Sequence, residues 1–79
     1  MIHAEATLYP HRSQNAGQII NQSLDSLRQE KVEYVVGPMA THMHGSEADV
    51  WHSLKKLFDE AKNSGGEVSM VVTITNSPD

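Results

Sequence analysis

"VEYVVGPMATHMHGS", residues 32–46, is the stretch on which the fold turns. Residues 32–37 are rich in β-branched and aromatic side chains, which fit the pleated surface of a strand. Gly37 and Pro38 then interrupt the run. Proline cannot donate to a ladder and glycine relaxes the backbone, so the chain turns or bulges there. "ATHMHG", residues 40–45, continues as another strand. Ser46 followed by Asp49 reads as a capping box with Asp in place of the usual Glu or Gln, so a helix starts at once.

Working outward, residues 2–9 alternate Ile2, Ala4, Ala6 and Leu8 against His3, Glu5, Thr7 and Tyr9, the period-2 pattern of a half-buried strand that Pro10 ends. "SQNAGQIINQSLDSLRQEK", residues 13–31, spaces Ala16, Ile19, Ile20, Leu24 and Leu27 at steps of three and four, one apolar stripe of an amphipathic helix. Ser13 or Asn15 is its expected cap. After Ser46, Val50, Leu54, Leu57, Phe58 and Ala61 form a second helical stripe, closed at Gly65 or Gly66 by a left-handed residue. "EVSMVVTIT" alternates as a last strand, and residues 76–79 read as a frayed tail. The order β-α-β-β-α-β is the ferredoxin-like α+β plan, two helices over one face of a four-stranded antiparallel sheet, in a single domain spanning residues 1–79.

Strand parity places Thr41 and Met43 beneath the helices. It leaves His3, Glu5, Thr7, Tyr9, His42, His44, Val71 and Thr73 on the opposite face, a mixed surface that water tolerates and a partner sheet can cover. With 79 residues the chain buries only about 60% of its unfolded surface. Exposed edge strands add a reason to expect a homodimer or homotetramer.

Composition narrows the function. Six Lys plus Arg against ten Asp plus Glu give a net charge of −4, the wrong sign for gripping phosphates along DNA or RNA. The absence of cysteine excludes disulfides, thiolate metal sites and cysteine nucleophiles, and fits a reducing compartment. "MIHAEATLYPH" shows neither the basic flank nor the apolar run of a secretory leader, and no window approaches the roughly 20 apolar residues of a membrane span. The expectation is a cytoplasmic protein with no membrane insertion and no nucleic-acid partner.

Among chemical constellations, "HMH" puts His42 and His44 on one side of a strand, where a cation can meet both imidazoles. Polar decoration of a solvated or subunit-facing sheet accounts for them as well, and no metal site is assigned. Ser46 beside His44 is the one local pairing of nucleophile and base, and its role as a helix cap uses the same oxygen. No catalytic residue is assigned either. Trp51 flanks the second apolar stripe, as core or as the aromatic wall of a cleft. Thr41, in an apolar layer, needs a hydrogen-bond partner that a ligand can supply.

"ATLYPH" in the first strand, "VVGPMATHMHGS" leading into "EADVWHSLKKLFDEA", and "VSMVVTIT" at the end resemble the YkoF-like small thiamine-binding proteins over nearly the whole chain. The resemblance implies a non-catalytic module for thiamine or its hydroxymethylpyrimidine part, needing no cofactor, in salvage or uptake and alongside transporter components. The protein that gives the family its name looks like two such units in tandem, so a single unit implies a homo-oligomer. An aminopyrimidine wants an apolar face and a few hydroxyl or carbonyl partners. Trp51, Met43 and Tyr9 can give the first; Thr41, Thr7, Ser46 and the backbone around Gly37 the second, with His44 and Ser46 at the rim. Parity sets Thr7 and Thr41 on opposite faces unless the Gly-Pro bend resets the count. The rivals are a ligand-free oligomerising regulatory module, a small His-based enzyme and a metal carrier.

Overall fold

The computed structural model describes residues 1–11 and 16–77. Ser13 and Asn15, the expected caps of the first helix, lie outside those residues, as do the side chain of Ala16 and the last two positions of the expected tail. The elements run β1 (Ile2–Pro10), α1 (Ala16–Asp25), a 3-10 turn (Ser26–Gln29), β2 (Glu33–Val36), β3 (Thr41–Gly45), α2 (Glu47–Gly65) and β4 (Val68–Thr75). The sheet order is β2-β3-β1-β4, antiparallel at every interface, so the expected ferredoxin-like plan is the observed one. The first helix is shorter than its periodicity predicts, because the chain tightens into the 3-10 turn that buries Leu27 completely.

Alternation along the strands builds the core. Ala4, Ala6 and Leu8 of β1 and Thr41 and Met43 of β3 point toward the helices and are buried, while Glu5, Tyr9 and His42 on the other side are exposed. Small alanines in the central strand leave room for Ile19, Leu27, Val50, Leu54, Leu57 and Ala61 from above. The buried face of α2 differs from the expected stripe in two places. Ser53 is fully buried and Phe58 only half so, which rotates the apolar face away from Phe58.

Both ends of α2 close as the sequence predicts. The Asp49 N–H donates to Ser46 Oγ at 3.2 Å, satisfying one orphan donor of the first turn. Gly66, at φ 78°, sends its N–H to Lys62 O at 2.9 Å, a backbone conformation that glycine reaches without Cβ strain. On the solvent side of α2, the hydrogen bond from Lys55 to Asp59, 2.6 Å long, outweighs partial desolvation and holds the Asp59 carboxyl below its ordinary range.

Met43→Ala is expected to lower the unfolding free energy by roughly 2–5 kcal/mol in urea titrations, since the side chain is 2% exposed in the middle of the core. Ser46→Ala, which removes the cap alone, is expected to cost about 1 kcal/mol by the same measurement.

Candidate functional site

The register of the sheet opens a cleft at one end. β1 and β3 pair from Ile2↔Gly45 to Ala6↔Thr41 and stop there. β1 itself runs on to Pro10, with only β4 beside it through Leu8↔Met70, Tyr9↔Ser69 and Pro10↔Val68. Where β3 would continue, residues Gly37, Pro38, Met39 and Ala40 form the tip of the β2–β3 hairpin. Two bonds fix that tip: Gly37 N–H to Ala40 O at 2.9 Å, and the Thr7 hydroxyl to Met39 O at 3.1 Å.

The gap between β1 and the tip is a cleft of about 370 Å³, within the usual range for small-molecule sites. Thr7, Leu8 and Tyr9 form one wall, the tip and Thr41 the other, and Ile20, Asn21 and Leu24 of α1 overhang it. Leu57 of α2 lies at its floor side, 1% exposed. Thr41 is 4% exposed, and its hydroxyl makes no hydrogen bond among the described residues. A largely apolar cleft with a threonine hydroxyl in its wall that no described residue engages suits a ligand with at least one polar atom.

The expected site residues divide into two groups. Thr7, Tyr9, Gly37 and Thr41 come together in the cleft. Parity holds through the Gly-Pro bend, and Thr7 and Thr41 do point to opposite faces; the cleft wraps the end of β3, so both border it nonetheless. Met43, His44 and Ser46 do not join them. Met43 is core, and β3 carries His44 about 10 Å along the strand from Thr41, with Ser46 beyond it as the cap of α2.

Trp51 is neither core nor cleft wall. It stands 54% exposed on α2 and lines neither this cleft nor the clefts beside His3 and Glu33. One residue past Val50, it is turned about 100° from the buried stripe, and α2 spends its apolar face on the sheet without it. Asn21, Ile20 and Leu24 are cleft residues that the strand-centred reading misses. The stripe on α1 contained Ile20 and Leu24, but nothing in one sequence says that this helix overhangs the hairpin tip.

His3, His42 and His44 occupy the outer sheet face, while His52 on α2 meets Glu30 at 2.9 Å and His11 meets Ser69 at 2.7 Å. His44 Nε2 lies 2.8 Å from Glu33 Oε2, His42 Nδ1 lies 3.8 Å from Glu5 Oε2, and the rings of His3 and His44 are 5.4 Å apart. Each carboxylate has its own imidazole. Among the described residues no three such side chains converge on a point that a metal ion could occupy.

An antiparallel ferredoxin-like domain with a half-open cleft at the end of its third strand defines the structural class. The chain belongs to the YKOF-related family, whose model matches residues 1–79. No curated protein matches it. Among solved structures, a Streptococcus pneumoniae protein is similar at TM-score 0.90 and 21% identity, covering 96% of this chain and 86% of the other. A domain of unknown function from Bacillus cereus follows at TM-score 0.86 and 19% identity, covering 98% and 76%. A Thermotoga maritima protein named "putative thiamine biosynthesis/salvage protein" is similar at TM-score 0.84 and 14% identity, covering 96% and 83%. At these identities the structures establish a shared fold.

Two glycine substitutions of the same chemistry are expected to act in opposite directions in thermal unfolding. A Cβ at Gly37 would meet the Ala40 carbonyl oxygen at 3.0 Å, so Gly37→Ala should cost about 1 kcal/mol or more and displace the hairpin tip. A Cβ at Gly17 meets nothing within 4 Å, so Gly17→Ala in α1 should stabilise by about 0.5 kcal/mol.

Proposed function

We propose that this chain is a non-catalytic binding module that takes thiamine, or its hydroxymethylpyrimidine part, in the cleft between β1 and the β2–β3 tip, in the service of salvage or transport. The Thr41 hydroxyl, engaged by no described residue in the wall of an otherwise mostly apolar cleft, carries the reading. It leaves one polar partner to be supplied by a ligand small enough for about 370 Å³. Membership of the YKOF-related family and the name of the Thermotoga maritima neighbour support thiamine chemistry as the class. Tyr9 offers the ring an aromatic surface and is 51% exposed at the cleft mouth.

No pairing of nucleophile and base supports catalysis in the cleft. Its polar side chains are Thr7, Thr41, Asn21 and Tyr9, and the histidines lie elsewhere. Ser46 is engaged as a helix cap.

The working unit in this reading is a homodimer or homotetramer joined through the outer sheet face. That face carries Val35 and Val71 at 69% and 58% exposure, and its strands contain no Lys or Arg. Depletion of lysine is a mark of a surface that meets protein. No helix among the described residues is long and apolar enough to cross a membrane, so in this reading any transporter is a separate partner.

Calorimetric titration with thiamine and with hydroxymethylpyrimidine tests the site. Saturable binding is expected, weakened about tenfold by Thr41→Val, which deletes the hydroxyl and keeps the shape. No heat up to millimolar ligand would sink the reading. Trp51 fluorescence is not expected to report binding, because the indole lies outside the cleft. Sedimentation of Val71→Lys is expected to show monomers where the unaltered chain shows dimers or tetramers.

A further inference from the structure

The ladders fix the direction of every backbone group in β1, and one residue is left over. His11 N–H donates to Glu67 O at 2.9 Å, beside the pair Pro10↔Val68. In an antiparallel ladder, residues that exchange hydrogen bonds with a neighbour alternate with residues that face the other way. Counting back in twos, Tyr9, Thr7, Glu5 and His3 face β4. Leu8, Ala6, Ala4 and Ile2 face β3.

The other side of the sheet gives an independent check. Gly37 N–H bonds to Ala40 O, so Ala40, His42 and His44 face β2, and Thr41, Met43 and Gly45 face β1. Those three are the partners of Ala6, Ala4 and Ile2, as the first count requires.

One step further, the register sets Leu8 opposite Met39. That pair does not form. The ladder ends at Ala6↔Thr41, and the Met39 carbonyl receives the Thr7 hydroxyl instead. The N–H and C=O of Leu8 are left facing the cleft with no hydrogen-bond partner among the described residues, in a residue 7% exposed. A backbone donor and acceptor side by side in a cleft wall, spent on no neighbouring strand, are available to a ligand that enters the cleft.

We propose that the Leu8 N–H and C=O form the recognition edge of the cleft, and that they bind a planar heterocycle carrying a ring-nitrogen acceptor next to an amino donor. This deepens the binding reading above and rests on it. The heterocycle takes the place of the missing β3 residue. A strand residue in a hydrogen-bonded pair offers its partner one acceptor and one donor, and the N=C–NH2 edge of an aminopyrimidine offers the same two. The ring lies in the plane of the sheet, with the Thr41 hydroxyl beside the last true pair and the Asn21 carboxamide overhead as flanking polar groups. A ligand with acceptors alone would leave the Leu8 carbonyl unpaired and bind less well.

Two measurements on the full chain test this. Isotope-labelled protein titrated with hydroxymethylpyrimidine is expected to show the Leu8 amide proton moving downfield as it gains an acceptor. A chain carrying an ester in place of the Thr7–Leu8 amide is expected to fold with a slightly lowered melting temperature, since the Thr7 carbonyl then accepts more weakly from β4, and to bind about tenfold more weakly. A hydroxymethylpyrimidine analogue with its amino group dimethylated should lose about as much. Binding that shifts Thr41 and Asn21 but leaves Leu8 unmoved, with the ester binding as well as the amide, would overturn the edge assignment and leave the binding module standing. No shifted resonance at millimolar ligand would overturn both.

Discussion

The pairing of β1 with β3, and its end at Ala6↔Thr41, is the constraint on which the rest of this structure depends. β1 is a central strand, so its register against β3 and β4 decides which of its side chains enter the core and which backbone groups are spent on the sheet. Ala4, Ala6 and Leu8 face the helices because of it, and a slip of one residue would exchange them for Glu5, Thr7 and Tyr9. The same register produces the cleft, because β1 extends past the point where β3 begins. Fold and candidate site are two results of one hydrogen-bonding pattern.

The Gly37-Pro38 turn is what ends the pairing. Proline cannot donate to a ladder, and the Gly37 bond to Ala40 closes the hairpin so tightly that a Cβ would press on the Ala40 carbonyl. The Thr7 hydroxyl then donates to the Met39 carbonyl, the group that the register would set opposite the Leu8 N–H. An exposed hydrogen bond of this kind contributes little to stability. Its effect is on shape, since it holds the tip against β1 at a distance that leaves the cleft open.

Charge is separated across the sheet. The basic side chains of the described residues lie on α2, the 3-10 turn and the segment before β2, in pairs such as Lys55 with Asp59 and Arg28 with Asp25. The outer face holds carboxylates and imidazoles in contact with each other. Surface ion pairs of this kind are weak.

Element order, strand parity, the Ser46 cap and the glycine closure of α2 were determined by the sequence itself, because each follows from side-chain chemistry within a few residues. Thr41, Thr7, Tyr9 and Gly37, named as candidates from the sequence, line one cleft, since a threonine in an apolar layer and a Gly-Pro bend that interrupts a ladder are local signals. Met43 and Trp51 were expected at the site as apolar surface and His44 and Ser46 as its rim, and the structure puts them in the core, in solvent, on the outer face and at a cap. Only the tertiary structure decided that α1 overhangs the hairpin tip with Asn21, and that Leu8 has no partner. Those facts depend on where β3 starts relative to a strand more than thirty residues earlier, a register set by the packing of the whole sheet and written in no single stretch of the chain.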